Sequence, residues 1–118
     1  MKKIYTLSTC DTTQKIIKRL EGLKDFEKQD IKADPITTSQ LNEMKDMAGS
    51  YEALFSRRAI KYKEMGLKDK VLGENDYKQL ILQEYTFLKR PVIIAGKRIF
   101  VGNEKKTVEE AENAIVKK

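Results

Sequence analysis

Cys10 is the one side chain in this sequence with strong nucleophilic potential, because the 118 residues contain a single cysteine and no histidine. Ser-His and Cys-His pairs and histidine-based metal sites are thereby excluded. So are an internal disulfide framework and a zinc site built on paired thiolates, which leaves thiol chemistry and no expected metal. The position of the cysteine suits that chemistry: Lys3 to Leu7 reads as a strand, Ser8-Thr9 as a polar loop, and a helical pattern opens at Cys10. A thiolate there meets backbone N–H groups that the first turn of a helix leaves unpaired. Those donors and the helix dipole stabilise the anion and lower the thiol pKa. Thr12 and Thr13 add hydroxyls that either bond the sulfur or cap the helix. A small buried cysteine in a strand-to-helix turn would have the same spacing.

The neighbours of Cys10 narrow the chemistry further. A phosphatase-type loop needs an arginine six positions after the cysteine, where this chain has Ile16, and a dithiol motif needs a second cysteine where it has Thr13. A redox cycle must therefore finish with a thiol from another molecule. Candidate anion-binding groups come from Arg90, directly before Pro91 at the opening of an apolar strand, from Arg98 on the next strand, and from Arg57-Arg58. The planar guanidinium binds tetrahedral or carboxylate anions in a two-pronged manner and keeps its charge. Proline at the start of a strand removes a ladder donor and suggests a sharp bend, a place for a cis bond.

The elements that must hold these residues follow from periodicity. After the first strand, Ile16, Ile17 and Leu20 share a helix face that Gly22 is placed to end, and Phe26 to Lys32 is weakly strand-like before the Asp34-Pro35 turn. Thr37-x-x-Gln40 is a capping-box pattern ahead of Leu41, Met44 and Met47. A second helix is expected from Ser50 with Tyr51, Leu54 and Phe55, and a third short one from Ala59 to Gly66. Asn75 is placed to cap a fourth that carries Tyr77, Leu80, Ile81 and Tyr85. Pro91 to Ile94, an Ala95-Gly96 turn and Lys97 to Val101 read as a β-hairpin. Thr107-x-x-Glu110 reads as the capping box of a last helix striped by Val108, Ala111 and Ile115. Strand, helix, strand, helical block, hairpin, helix is the order of an α/β sheet with helices on its faces.

Composition adds limits. A hydrophobic fraction of 40% suffices for one core, and 36% charged residues, above the usual ~25%, are spread among apolar positions rather than gathered in long polar tracts. Lys and Arg outnumber Asp and Glu 24 to 18, a formal +6 that favours anionic partners. The basic residues are interleaved with acids except at Lys117-Lys118, and no aromatic or arginine-rich motif accompanies them, so direct nucleic-acid binding is not expected. No apolar run is long enough for a membrane span or a signal peptide, so the expected location is cytoplasmic.

Taken together, Ile4-Tyr5 before Ser8-Thr9-Cys10-Asp11-Thr12, Ala53-Leu54-Phe55-Ser56-Arg57-Arg58 ahead of Tyr62-Lys63-Glu64-Met65-Gly66-Leu67, Leu88-Lys89-Arg90-Pro91-Val92-Ile93, and Gly96-Lys97-Arg98 resemble the arsenate reductase family. That family also contains the Spx-type transcription regulators. The resemblance runs nearly end to end and implies a thioredoxin-like mixed sheet with an inserted helical subdomain: one domain over 1–118, with a core of 1–36 and 86–118 and an insert of 37–85. It implies Cys10 as nucleophile in the first loop and Arg90 facing it, held by the structural Pro91. Thr12, Thr13, Arg57, Arg58 and Arg98 are implied as substrate-binding residues. It also implies an oxyanion or glutathione-type anionic ligand, glutathione as cosubstrate with no bound cofactor, and glutaredoxin as the partner that clears the mixed disulfide. Two positions depart from the reductases. Ser56 stands where a third arginine is usual, and Asp11 follows the cysteine where glycine is usual, so a carboxylate sits beside the site of a doubly charged arsenate. The expected function is a thiol-dependent reductase for which arsenate is a poor substrate. The alternative is a non-enzymatic, redox-sensing regulator that binds RNA polymerase.

Overall fold

Four strands pair in the order Glu27–Asp30, Lys2–Thr6, Val92–Ala95, Arg98–Val101, and the helix Asp11–Arg19 makes the crossover that the parallel pairing of the first two requires. The computed structural model of the chain describes residues 2–20 and 25–115. Among these, β1 (Lys2–Thr6), α1 (Asp11–Arg19) and β2 (Glu27–Asp30) form the opening strand-helix-strand unit. β3 (Val92–Ala95), β4 (Arg98–Val101) and α5 (Lys105–Ile115) close the sheet. β3 runs antiparallel to both β1 and β4. This is the thioredoxin-like mixed sheet of an α/β protein.

Two compact units divide the chain, the first from Met1–Pro35 and Arg90–Lys118, the second Ile36–Lys89. In the first, one face of the sheet offers Ile4, Ile93 and Phe100 to Ile16 and Leu20 of the α1 stripe and to Val108 and Ala111 of α5, with Phe26 completing the cluster. These are the apolar positions at i, i+4 and i+3 that each helix keeps on one side. Arg19 and Glu112 join α1 to α5 outside that core through two bonds of 3.3 Å. The alternate residues Tyr5, Val92 and Ile94 point to the other face and are also buried.

The second unit contains α2 (Thr38–Ala48), α3 (Ile60–Glu64) and α4 (Glu74–Gln83), with 3-10 turns at Glu52–Leu54, Leu67–Asp69 and Tyr85–Phe87. Its core is aromatic: the ring of Phe55 lies 4.9 Å from that of Tyr77, 5.0 Å from Phe87 and 6.0 Å from Tyr62. Leu54 O accepts from Lys89 N–H at 2.9 Å and Ser56 N–H donates to Phe87 O at 2.7 Å, so the chain entering and the chain leaving this aromatic cluster pair as short extended segments.

Several sequence expectations are corrected in detail. Ser50 does open a turn, accepting from Ala53 N–H at 3.0 Å, but the helix expected there is only the 3-10 turn Glu52–Leu54, because Phe55 adopts extended geometry (φ −86, ψ 128) to pair with Leu88. α4 begins two residues ahead of the expected Asn75 cap. Gly73 is its N-cap, and since glycine has no side-chain acceptor, the local bond is the reverse one, Gly73 N–H to the Asp76 carboxylate at 2.8 Å. α5 starts at Lys105, with Val108 N–H already bonded to Glu104 O, which puts Thr107 inside the first turn rather than at a cap. The hairpin turn is Gly96-Lys97, one residue later than expected, because Ala95 still pairs with Arg98 and Gly96 takes the positive φ of 64° that glycine accommodates. The expected helix stop at Gly22 and the basic pair Lys117-Lys118 lie outside the described residues.

Candidate active site

The register fixes which loops meet. Tyr5 near the end of β1 pairs with Val92 at the start of β3, so the Leu7–Cys10 turn and the Arg90-Pro91 bond, which is cis, leave the same end of the sheet. Cys10 N–H donates to Leu7 O at 3.0 Å and closes the turn. Its carbonyl accepts from Gln14 N–H at 3.1 Å and opens α1. With φ −101 and ψ 106, Cys10 is the N-cap of that helix, so its sulfur occupies the place where a capping oxygen would accept the orphan N–H groups of the first turn.

Thr13, fully buried at the third helical position, donates its hydroxyl to Cys10 Sγ at 3.2 Å. Its N–H also faces the sulfur, without the geometry of a complete capping bond. Burial pushes the Cys10 thiol up, but the bonds from Thr13 and the charge and hydrogen bond of the Arg90 guanidinium outweigh it and hold the thiol below its ordinary value. Cys10 itself is half-buried. Asp11 and Thr12, the first two residues of the helix, are exposed.

Two residues that sequence reasoning missed hold the turn. The Gln14 side-chain amide donates to Leu7 O at 3.1 Å and to Thr6 Oγ1 at 3.3 Å. The Asp30 carboxylate accepts the Ser8 hydroxyl at 2.6 Å and Lys32 N–H at 3.2 Å, and with the N–H groups of Ser8 and Ala33 these bonds draw its pKa down. The signal for Gln14 was its spacing, one helical turn beyond the cysteine and so on the same face. Asp30 gave none beyond its place between a strand and a proline turn.

The structure thus brings together Cys10, Thr13 and Arg90, with Pro91 shaping the approach of the arginine. Arg98 is not brought to them. It pairs with Ala95, which pairs in turn with Lys2 at the start of β1, so it stands at the opposite end of the sheet, its guanidinium 4.9 Å from the Phe100 ring centroid. Arg57 belongs to the helical unit, where it donates to Glu52 Oε2 at 2.9 Å and to the Tyr77 hydroxyl at 3.0 Å. Its proton is held more tightly than usual, chiefly by the Glu52 bond. The exposed Arg58 donates its N–H to Ser56 Oγ at 3.3 Å. Among the described residues no group of three or more His, Cys, Asp or Glu side chains could hold a metal ion, and no helix is long and apolar enough to cross a membrane.

The sequence profile of the ArsC family matches residues 5–111. Among solved structures, the protein called YFFB is 24% identical with a TM-score of 0.78, the match covering 94% of this chain and 98% of that one. An arsenate reductase from Vibrio cholerae is 17% identical with a TM-score of 0.76, over 93% and 96% of the two chains. An arsenate reductase related protein from Brucella melitensis is 22% identical with a TM-score of 0.70, over 92% of each. At these identities the likeness establishes the fold. Among curated proteins none matches the sequence.

Proposed function

The chain belongs to the ArsC family, and from that premise we propose that it is a cytoplasmic thiol-dependent reductase in which Cys10 is the nucleophile and glutathione or a glutaredoxin-like protein supplies the second thiol. The observation that carries this reading is the environment of Cys10 Sγ: at the N-cap of α1, 3.2 Å from the Thr13 hydroxyl, beside the Arg90 guanidinium, and drawn down in pKa by both. A thiolate fraction raised at neutral pH is what attack on an oxidised centre requires.

The cycle follows from the chain having a single cysteine. The Cys10 thiolate attacks the electrophilic atom of an oxidised substrate, forming a bond to sulfur, and the leaving group departs with the displaced electron pair. A glutathione thiolate then attacks Cys10 Sγ. The bond between sulfur and substrate breaks toward the substrate, which leaves reduced by two electrons, and a Cys10-glutathione disulfide remains. A third thiol, from glutaredoxin or a second glutathione, attacks the glutathione sulfur and releases Cys10 as thiolate. Arg90 stabilises the anion at each stage and is suited to a two-pronged grip on a glutathione carboxylate or a substrate oxyanion.

Arsenate is the poorer candidate substrate. Asp11, exposed at the first position of α1, follows the nucleophile in the chain with a carboxylate, Ser56 stands where arsenate reductases carry an arginine, and Arg98 is at the far end of the sheet. A dianion therefore meets the repulsion of that carboxylate with Arg90 as the arginine placed at the sulfur, whereas a disulfide or another less charged oxidised centre is repelled less. The test is mass spectrometry of the reduced protein after exposure to oxidised glutathione, alongside glutaredoxin-coupled arsenate turnover. The expected result is stoichiometric Cys10-glutathione disulfide that glutaredoxin resolves, with arsenate turnover near background. An inert Cys10 would overturn the reductase reading, and brisk arsenate turnover would overturn the electrostatic account of substrate choice.

A further inference from the structure

Four residues, Leu7 to Cys10, carry the nucleophile between β1 and α1, and one hydrogen bond within the turn is joined by two side chains from outside it. Leu7 O accepts two donors, Cys10 N–H at 3.0 Å and the Gln14 amide at 3.1 Å, and the same amide reaches back to Thr6 Oγ1 at 3.3 Å. Ser8 is held from the other side, its hydroxyl 2.6 Å from the Asp30 carboxylate. Asp30 is itself ordered by Lys32 N–H at 3.2 Å, while Ile31 N–H donates to Thr6 O at 2.9 Å and ties the ends of β1 and β2 together. One clamp thus comes from the first turn of α1 and the other from the end of β2.

The clamps matter to the sulfur because Cys10 reaches Thr13 across the turn they hold. A bond from a hydroxyl to sulfur at 3.2 Å is sensitive to where the N-cap residue sits, and the N-cap is set by the turn, since Cys10 N–H and Gln14 Nε2 share one carbonyl acceptor. Preorganised donors stabilise an anion because they need no rearrangement when it forms. A turn free to move would average that advantage away.

We propose that Gln14 and Asp30 are positioning residues for the nucleophile: by clamping Leu7 and Ser8 they hold Cys10 Sγ in register with Thr13 and Arg90, and so set its reactivity without touching it. The inference rests on the reading of Cys10 as an activated nucleophile. It goes beyond that reading by assigning roles to two side chains outside the Cys10-Thr13-Arg90 group.

The experiment is the pH profile of Cys10 alkylation by iodoacetamide, with thermal unfolding recorded in parallel, on the wild type, Gln14→Met, Asp30→Ala and Asp30→Asn. Gln14→Met keeps length and bulk but has no donor. It is expected to lower the alkylation rate at pH 6 about threefold, a smaller effect than loss of a direct charge partner, and to move the profile to higher pH. Asp30→Ala is expected to move it the same way, while Asp30→Asn, which keeps an acceptor for Ser8, restores the wild-type profile. A purely electrostatic role for Asp30 gives the opposite pattern: removing a negative charge favours the thiolate, so both Asp30 variants would move to lower pH. That result, or a Gln14→Met profile superimposed on the wild type, overturns the proposal. Should Asp30→Ala fail to fold, Gln14→Met decides. A wild-type profile no lower than that of a free thiol overturns both the clamp and the activated-nucleophile reading, whereas a low wild-type profile unmoved in the variants overturns the clamp alone.

Discussion

Two helices in this chain begin with the same local design and use it for opposite ends. At α2, Thr37 Oγ1 accepts from Gln40 N–H and the Gln40 side chain accepts from Thr37 N–H, both at 3.0 Å. The box is reciprocal and closed, and its donors and acceptors are spent on the helix itself. At α1 the same two positions carry Cys10 and Thr13. Here the N-cap side chain is a sulfur, a weaker acceptor than oxygen, the third residue donates its hydroxyl to it, and the N-cap N–H goes back to Leu7 O. Nothing in the α1 arrangement favours helix stability over what serine would provide. What it favours is negative charge on the sulfur, to which Arg90 adds its own. The comparison separates a cap that stabilises a fold from a cap that stabilises an anion.

The sharpest way to break that comparison is Cys10→Ser. If the sulfur is there for chemistry, alkylation and mixed-disulfide formation are lost entirely, while thermal stability holds or rises slightly, since serine ranks among the best N-cap residues. Thermal unfolding and mass spectrometry of the same sample read both halves. A large loss of stability would mean that Cys10 is a packing residue after all. The linkage sign gives a second readout. The native Cys10 pKa lies below that of the unfolded chain, so the unfolded state binds more protons between the two values. Stability of the wild type relative to Cys10→Ser should therefore increase as pH rises through that window, and the increment should vanish as pH falls below the native value.

The next effect in size belongs to Arg90. Arg90→Ala removes the charge that faces the thiolate, and an opposite charge at close range commonly moves an acid by a unit or more. Alkylation at pH 6 should fall about tenfold, with the profile displaced to higher pH. Arg57→Ala provides the contrast, because Arg57 is engaged by Glu52 and Tyr77 in the helical unit. Its removal should leave the profile where it was. Equal displacement by both variants would show that net charge, rather than the placement of Arg90, controls the sulfur.

Much of this site is legible in the sequence alone. The order of strand, cysteine and helix placed Cys10, and the proline after Arg90 marked the bend, because both signals are local and each residue type has few alternative uses. The failures share one cause. Register across β3 and β4 decides that Arg98 sits at the wrong end of the sheet, and pairing of Phe55 with Leu88 decides that Ser50 opens a turn instead of a helix. Both are set by partners distant in sequence. Gln14 and Asp30 are illegible for a related reason: in sequence, an amide and a carboxylate on polar positions are indistinguishable from solvated surface without the carbonyl or hydroxyl they hold. The Thr37 capping box, by contrast, was readable in full, because all its bonds are made within four residues.

That closed box supplies the smallest of the expected effects and the control for the rest. Thr37→Ala removes the acceptor for Gln40 N–H and leaves the Gln40 side chain with the only capping bond, which should cost about 1 kcal/mol and lower the unfolding temperature by several degrees. Thr37→Ser, which keeps the oxygen, should recover most of the loss. Neither variant should displace the Cys10 alkylation profile, since the donor that Thr37 satisfies belongs to α2 and those that hold the sulfur belong to α1 and the Arg90 bend. A Thr37→Ala protein that lost stability and also shifted the Cys10 profile would show that the anion-stabilising cap draws on helix stability elsewhere in the chain. The division between the two kinds of cap would then give way to a single coupled scaffold.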